Sequence, residues 1–249
     1  MPIYKKTRLD RLLVENGLAP SRAQAADLVR RGAVSVAGVK ALKPGALVRA
    51  DAALAVSASA SPYVSRGGLK LAAALEAFGF DPKGRVALDI GASTGGFTDV
   101  RLARGAAKVY AVDVGRGQLH EKLRADPRVV VLEATDARSL DAAIIKDRVS
   151  AIVADVSFIS LTLALPAALR LAAPGAWLVV LVKPQFEAGR AAVGKGGIVR
   201  DGAERKKAIA RVRTFIQGEG GWMVVGEIAS PILGGSGNEE FLIGARHGA

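Results

Sequence analysis

The sequence predicts an α/β protein built on a doubly wound, mostly parallel sheet and preceded by a small basic α+β module. Three observations predict it. From residue 67 onward, short apolar stretches alternate with segments of helical spacing, the pattern of strands buried on both faces between helices. Residues 1–60 instead read as two short helices followed by β-like pieces, with ten Lys/Arg against four acids. Finally, 249 residues with 50% apolar and 23% charged content are enough for a real core and fit two unequal domains.

The N-terminal elements follow from local signals. Leu9, Leu12 and Leu13 recur at helical spacing and stop at Gly17, a residue suited to the position just past a helix end. Ser21 reads as the N-cap of a second helix with Ala25, Ala26 and Val29 on one face and Gly32 as its stop. Segments 33–36 and 47–56 read as β, with Gly38 and Pro44-Gly45 as turns. SASASP at 57–62 is small, uncharged and Pro-terminated, as a linker would be. In the larger part, strands are expected at 86–90, 108–113, 129–132, 151–155, 177–182, 223–228 and 240–244, and helices at 69–78, 97–104, 118–124, 161–171 and 204–216. The resulting division is 1–60, a connection at 61–66, and 67–249.

Charge and composition narrow the function. With 35 Lys+Arg against 23 Asp+Glu, the net charge of +12 suits a polyanionic partner, nucleic acid first and an anionic membrane surface second. The absence of Cys excludes disulfides, thiolate metal sites and Cys nucleophiles and fits a reducing cytoplasm. The N-terminus has no apolar signal-peptide core, and the longest uncharged runs, 52–65 and 156–169, are too short to span a membrane. No metal-ligand cluster and no pattern specifying an oligomeric state are visible.

The strongest local signal is VALDIGASTGGFTDV at 86–100, where an apolar strand enters a glycine-rich turn and then a helix. Such a turn bares backbone amides and the positive helix end to a ligand. Asp113 ends the next strand 24 residues beyond Asp89, the separation at which an acid reaches ribose hydroxyls. Gly91, Gly95 and Gly96 spell G-x-x-x-G-G, not G-x-G-x-x-G, which favours a ligand without a pyrophosphate, and S-adenosyl-L-methionine fits that description. Candidate cofactor contacts are Asp89, Gly91, Ala92, Ser93, Gly95, Gly96, Phe97, Asp113 and, after the third strand, Asp136, for which a helix N-cap is the competing reading. A P-loop is rejected at 189–195, because Gly196 stands where magnesium needs Ser or Thr. GKGGIVRD at 194–201 reads as a flexible basic loop beside the strand ends, as readily solvated as closing on substrate. His120 and His247 read as solvated surface residues.

YVSRGGLKL (63–71), DIGASTGGFTD (89–99), ADVSF (154–158), VKPQFE (182–187), GKGGIVRD (194–201) and GNEEF (237–241) together resemble the TlyA, or hemolysin A, family. RLDRLLVENGLAPSRAQAADLVRRGAV, beginning at Arg8, resembles an S4 RNA-binding domain. The resemblance implies a Rossmann-like class I methyltransferase sheet of the FtsJ type, joined to a small N-terminal α+β S4 domain. It also implies S-adenosylmethionine-dependent 2′-O-methylation of ribosomal RNA, at a cytidine, with ribosomal RNA or ribosomal subunits as partner. The family's Lys-Asp-Lys-Glu tetrad maps to Lys70, Asp155, Lys183 and Glu240; Glu239 is adjacent, and the pattern G-N-x-E selects Glu240. Ala37-Gly38 replaces the usual Asn-Gly, which argues against a tight type I′ turn there.

The tetrad makes chemical sense. A ribose hydroxyl is a poor nucleophile at neutral pH and a sulfonium methyl is already a strong electrophile, so alignment and deprotonation are the protein's tasks. Lys183 is expected to take the proton as an amine, with Asp155 and Glu240 orienting the two lysines. Candidate RNA contacts are Arg8, Arg11, Arg22, Arg30, Arg31, Lys40, Arg66 and Lys195, each of which could also be an ordinary solvated charge. The competing functions are a noncatalytic RNA-binding protein and, less favoured, a membrane-active hemolysin.

Overall fold

A computed structural model describes residues 6–19, 21–30, 32–41, 43–56 and 63–248. The stretch 57–62 read as a linker, and the RNA candidate Arg31, lie outside the described residues. The chain divides into two compact units, Met1–Arg66 and Gly67–Ala249.

In the first unit, β1 (Lys6–Arg8) leads into α1 (Leu9–Glu15), followed by α2 (Arg22–Arg30), β2 (Val34–Val36), β3 (Val39–Lys40), β4 (Leu47–Arg49) and β5 (Leu54–Val56). The two helices bury Leu9, Leu13, Ala25 and Val29 against Val34, the apolar stripe anticipated from spacing. Ser21 Oγ accepts from the Gln24 amide (3.3 Å). The 47–56 piece is two strands, not one: β4 pairs with β1, and β5 with β2. Ala37 and Gly38 both take positive φ (50° and 80°) between the paired Val36 and Val39, so the two-residue turn of type I′ hand forms despite the alanine. The expectation of a loosened turn fails because strand pairing on both sides fixes the loop length and outweighs the strain, about 1 kcal/mol, of a left-handed non-glycine residue.

The second unit contains α3 (Gly67–Phe78), β6 (Val86–Ile90), α4 (Gly96–Ala103), β7 (Lys108–Asp113), α5 (Glu121–Arg124), β8 (Val129–Glu133), β9 (Val149–Ala154), α6 (Leu161–Ala164), α7 (Pro166–Leu169), β10 (Ala172–Val182), α8 (Pro184–Glu187), α9 (Gly202–Gly218), β11 (Trp222–Ala229) and β12 (Phe241–His247). Its seven strands lie in the order β11-β12-β10-β9-β6-β7-β8, with β10 to β8 mutually parallel and β12 alone running antiparallel, between β10 and β11. The central strands are buried on both faces, which is why they read as unbroken apolar runs. Helix α3 packs Phe78 where a Cβ on Gly244 would sit within 2.5 Å of its ring, so β12 can pass there only as glycine.

Several boundaries differ from expectation for identifiable reasons. The segment read as one helix at 161–171 is split into α6 and α7 at Pro166, which has no amide to donate. The helix expected from 118 begins at Glu121, because the amides of Gln118 and Leu119 bond the Glu133 carboxylate instead. The last strand runs to His247, whose ring packs on Trp222 (5.1 Å between centroids), so this histidine is part of the sheet and not a solvated tail. His120 caps α5, its Nδ1 accepting from the Lys122 amide (3.2 Å). No helix of the described residues is long and apolar enough to cross a membrane. Among the described residues no cluster of three or more His, Cys, Asp or Glu could hold a metal ion.

Candidate active site

Strand β6 has β7 on one side and β9 on the other, so the chain reverses its direction of winding there and opens a crevice at the carboxyl ends of the strands. A cavity of about 450 Å³, in the range of small-molecule sites, occupies that position. Its polar lining is Ser93, Asp113, Gln118, Thr135, Asp136, Arg138, Asp155 and Ser157, and its apolar lining includes Ile90, Val112, Val156 and Ile159.

The glycine turn is shaped by close approach. A Cβ on Gly91 would lie 2.3 Å from the Asp155 carbonyl oxygen, so only glycine lets the end of β6 touch the end of β9. Ser93, at φ 48°, donates its amide to Asp113 Oδ2 (2.8 Å) and its hydroxyl to Gln118 Oε1 (3.2 Å). Asp113 Oδ1 accepts from the Gly115 amide (2.7 Å), which fixes the carboxylate at the cavity wall with lone pairs left over. The 115–119 loop is in turn held by Glu133, which accepts from the amides of Gly117, Gln118 and Leu119 (2.7–3.0 Å) and pairs with Arg124. Burial pushes the Glu133 carboxyl up, but those amides and Arg124 outweigh it and hold the group at about 2.

Two of the expected cofactor side chains are elsewhere. Asp89 is fully buried beneath the turn, accepting from Thr98 Oγ1 (2.5 Å) and pairing with the equally buried Arg101 (2.7 Å). Arg101 also donates to the carbonyls of Leu88 (3.1 Å) and Phe97 (3.3 Å), tying the strand before the turn to the helix after it. Burial drives the Asp89 carboxyl upward against the pull of Arg101. Phe97 packs into the core as well, since α4 starts at Gly96 and turns that face inward. Gly91, Ser93, Asp113 and Asp136 line the cavity; Ala92, Gly95 and Gly96 shape the turn behind it. Asp136 also caps a short 3-10 turn and pairs with Arg138 (2.6 Å), which holds its carboxyl below the usual range through that side-chain bond.

The catalytic candidates come together at the same edge of the sheet. The register sets Ala154 beside Val180 and Val182 beside Phe241, so Asp155, Lys183 and Glu240 leave or enter three adjacent strands along one rim. Lys183 Nζ lies 2.6 Å from Asp155 Oδ1 and donates to Ser157 Oγ (2.9 Å). Lys70, on the first turn of α3, donates to Glu240 Oε2 (2.5 Å) in a buried pair. Glu239 is exposed and pairs with Arg205 (3.2 Å), so Glu240 is the glutamate that meets Lys70. Gly234 packs on the Glu240 carboxylate, where a Cβ would lie 2.3 Å from Oε1.

Several residues here carry no signal of their own in the sequence. Ser157 and Phe158 follow Asp155 inside ADVSF. Phe158 is 91% exposed and held at φ 67°, with its ring 5.1 Å from that of Phe186, three residues after Lys183. A large exposed aromatic in a strained conformation at a cavity mouth is a feature of sites, not of ordinary surfaces. Glu187 is buried; it accepts from Ser160 Oγ (2.6 Å) and the Leu161 amide (2.8 Å), fastening the loop after β9 to α8. Its carboxyl is pushed up by burial.

Several of the RNA candidates form ion pairs. Arg8 (2.8 Å) and Arg22 (3.2 Å) pair with Asp10, whose own side chain is buried, and Arg11 pairs with Glu15 (2.7 Å). The side-chain bond from Arg8 keeps the Asp10 carboxyl below the usual range. Arg30, Lys40 and Lys195 are exposed, and Arg66 is half-buried.

Comparison with known proteins matches the FtsJ-like methyltransferase model over residues 63–247 and the S4 domain model over residues 7–54. The chain is 51% identical, over 97% of its length and 90% of the relative's, to the 16S/23S rRNA (cytidine-2'-O)-methyltransferase TlyA of Mycobacterium tuberculosis. It is 42% identical to Hemolysin A of Brachyspira hyodysenteriae, over 94% of this chain and 98% of that one. A solved structure from Streptococcus thermophilus, named as a hemolysin, superposes with a TM-score of 0.76 at 43% identity, covering 98% of this chain and 89% of the other. With a glycine turn, a rim of paired lysines and carboxylates, and both domain matches in the same order, the chain belongs to the TlyA (hemolysin A) family of S4-bearing, FtsJ-like RNA 2′-O-methyltransferases.

Proposed function

We propose that this protein transfers a methyl group from S-adenosylmethionine to the ribose 2′-oxygen of a cytidine in ribosomal RNA, with Lys183 receiving the hydroxyl proton. The observation that carries the reading is the placement of Lys183 between Asp155 and Ser157, where Asp155 and Ser157 also line the cavity beside the glycine turn.

The residues present suit the cofactor. Asp113 offers carboxylate lone pairs for ribose hydroxyls, Ile90, Val112 and Ala137 offer apolar surface for a purine, and Gly91, Ser93 and Asp155 line the part of the cavity where the methionine part would lie. When bound, S-adenosylmethionine supplies a methyl group that needs no further activation. Lys183 in its amine form accepts the proton from the 2′-hydroxyl and becomes an ammonium. The Asp155 carboxylate, 2.6 Å away, stabilises that ammonium as it forms. Ser157 restrains the direction of the nitrogen, and the Lys70–Glu240 pair holds a second cation at the rim with its carboxylate already satisfied. Phe158, displayed beside Phe186, offers a face on which an unstacked base can lie.

The test is incubation of the protein with radiolabelled S-adenosylmethionine and ribosomal subunits from cells lacking the activity, followed by mapping of the product. Label in a cytidine 2′-O-methyl group is expected. Binding of RNA without transfer of label would replace the reading by that of a noncatalytic RNA-binding protein.

A further inference from the structure

We infer that the 189–200 loop is an RNA-phosphate contact surface belonging to the methyltransferase unit itself, and that Asn238 is the positioning residue coupling this surface to Glu240. The inference rests on the proposed reaction only for its kinetic part. The observation behind it is a juxtaposition: a loop of exposed cations is fastened by a buried amide side chain located two residues before a tetrad glutamate.

Arg190, Lys195 and Arg200 are exposed, and none forms an ion pair among the described residues. The loop that carries them has little core of its own, since Val199 is its one buried apolar side chain. It nevertheless has a defined shape. Gly194 and Ile198 form a bridge, and Gly196 and Gly197 take φ values of 81° and 76° at the tip. Asn238, 2% exposed, accepts from the Val199 amide at Oδ1 (3.0 Å) and donates from Nδ2 to the Gly197 carbonyl (2.8 Å). A second clasp reinforces the first. Arg205 on α9 donates to the carbonyls of Val199 (3.2 Å) and Arg200 (3.1 Å) and pairs with Glu239. Both clasps converge on residues 238 and 239, immediately before Glu240 and its bond to Lys70.

The physical consequence is preorganisation. A solvated basic loop would have to be ordered when it met a phosphate, at an entropic cost set against the contact; cations on a loop already fixed avoid that cost. Because the same short segment carries Asn238 and Glu240, displacement of the loop is transmitted to the rim, and a loop held in place keeps Glu240 against Lys70. A polyanion with phosphates spaced along a backbone matches three separated cations better than a compact acid does.

The experiment compares the full-length protein with Lys195→Ala/Arg200→Ala, with Asn238→Ala, and with all three changes combined. Affinity for large-subunit ribosomal RNA is measured as a function of salt, together with kcat and KM for methyl transfer. For the pair of exposed substitutions, the surface predicts a slope of log affinity against log salt shallower by about 1.4–1.8, the value for two phosphate contacts, and weaker binding by about tenfold near 0.1 M salt. Asn238→Ala is expected to raise KM for RNA and lower kcat severalfold with unchanged S-adenosylmethionine affinity. In its background the pair of substitutions should weaken binding by less than twofold, the non-additivity of residues acting as a unit. Should Asn238→Ala fail to fold, Asn238→Asp, which keeps an acceptor for the Val199 amide, takes its place in the same cycle. An unchanged salt slope overturns the surface, and fully multiplicative effects overturn the coupling. Loss of methyl transfer by the unaltered protein with the slope change intact would instead sink the proposed reaction and leave the surface standing.

Discussion

Two sets of paired charges in the methyltransferase unit, one partly open at the rim and one fully buried, are built differently. At the rim, Lys183 and Lys70 meet Asp155 and Glu240; beneath the glycine turn, Arg101 meets Asp89. The lower pair uses a guanidinium that keeps its proton at any working pH and spreads its donors over a carboxylate and two carbonyls. The rim pairs use ammonium groups, compact point charges on flexible stems. Arginine suits a pair whose position must be permanent, and lysine suits the proton transfer proposed for the rim.

The largest expected effect breaks the comparison at the rim. Lys183→Arg keeps the positive charge and a partner for Asp155 but cannot accept a proton. Methyl transfer should fall by about 10²–10⁴-fold, as for Lys183→Ala, with cofactor affinity measured by calorimetry unchanged. Retained activity in Lys183→Arg would mean that charge, not proton acceptance, is what the rim supplies.

Beneath the turn the same exchange should act on stability. Arg101→Ala leaves Asp89 buried and uncompensated, with an expected loss of about 3–5 kcal/mol in denaturant unfolding. Arg101→Lys should recover only part, because a single nitrogen on a shorter stem cannot span the carboxylate and two carbonyls that the three guanidinium nitrogens reach.

Glu187 lies between the two categories, a buried carboxylate near the site that bonds only neutral donors. Glu187→Ala should destabilise by about 1–3 kcal/mol and lower kcat through the loop carrying Ser157 and Phe158. Glu187→Gln can accept from the Leu161 amide and donate to Ser160, so stability and kcat should return together. Because burial raises this carboxyl, its ionisation opposes folding at neutral pH, and the amide removes that penalty.

A milder probe is acid. Glu133 is depressed to about 2 from an ordinary value of 4.5, so its contribution is complete above pH 4.5 and disappears as the pH falls toward 2. Amide exchange in the 115–119 loop should accelerate over that window, and Glu133→Gln should flatten the response. The smallest expected change is at Ala37, where Asn tolerates positive φ better: Ala37→Asn should stabilise the N-terminal unit by about 0.5–1 kcal/mol in thermal unfolding.

What the sequence made legible follows from how far each signal reaches. The strands were readable because burial on both faces leaves unbroken apolar runs, and Asp113 and Asp155 because they end such runs. The glycine turn was readable as a cradle, but not the inward rotation of Asp89 and Phe97, which depends on where α4 begins. Choosing Glu240 over Glu239 needed a motif from the family; in the structure it follows from Glu239 turning to Arg205 and Glu240 to Lys70. Glu133, Glu187 and Asn238 were illegible because each works by bonding backbone amides of a distant loop, and amides are the same at every position. His247 was misread because a strand of mixed polarity at a chain end has no periodicity to separate it from a tail.

One contact limits how this site can vary. With Gly91 pressed on the carbonyl of Asp155, the ends of β6 and β9 meet backbone to backbone beside the cavity. The glycine turn and the segment carrying Asp155 therefore share one mechanical tolerance. Even a methyl group added at position 91 would push the two strand ends apart, and the displacement would reach the turn and the Asp155–Lys183 pair together.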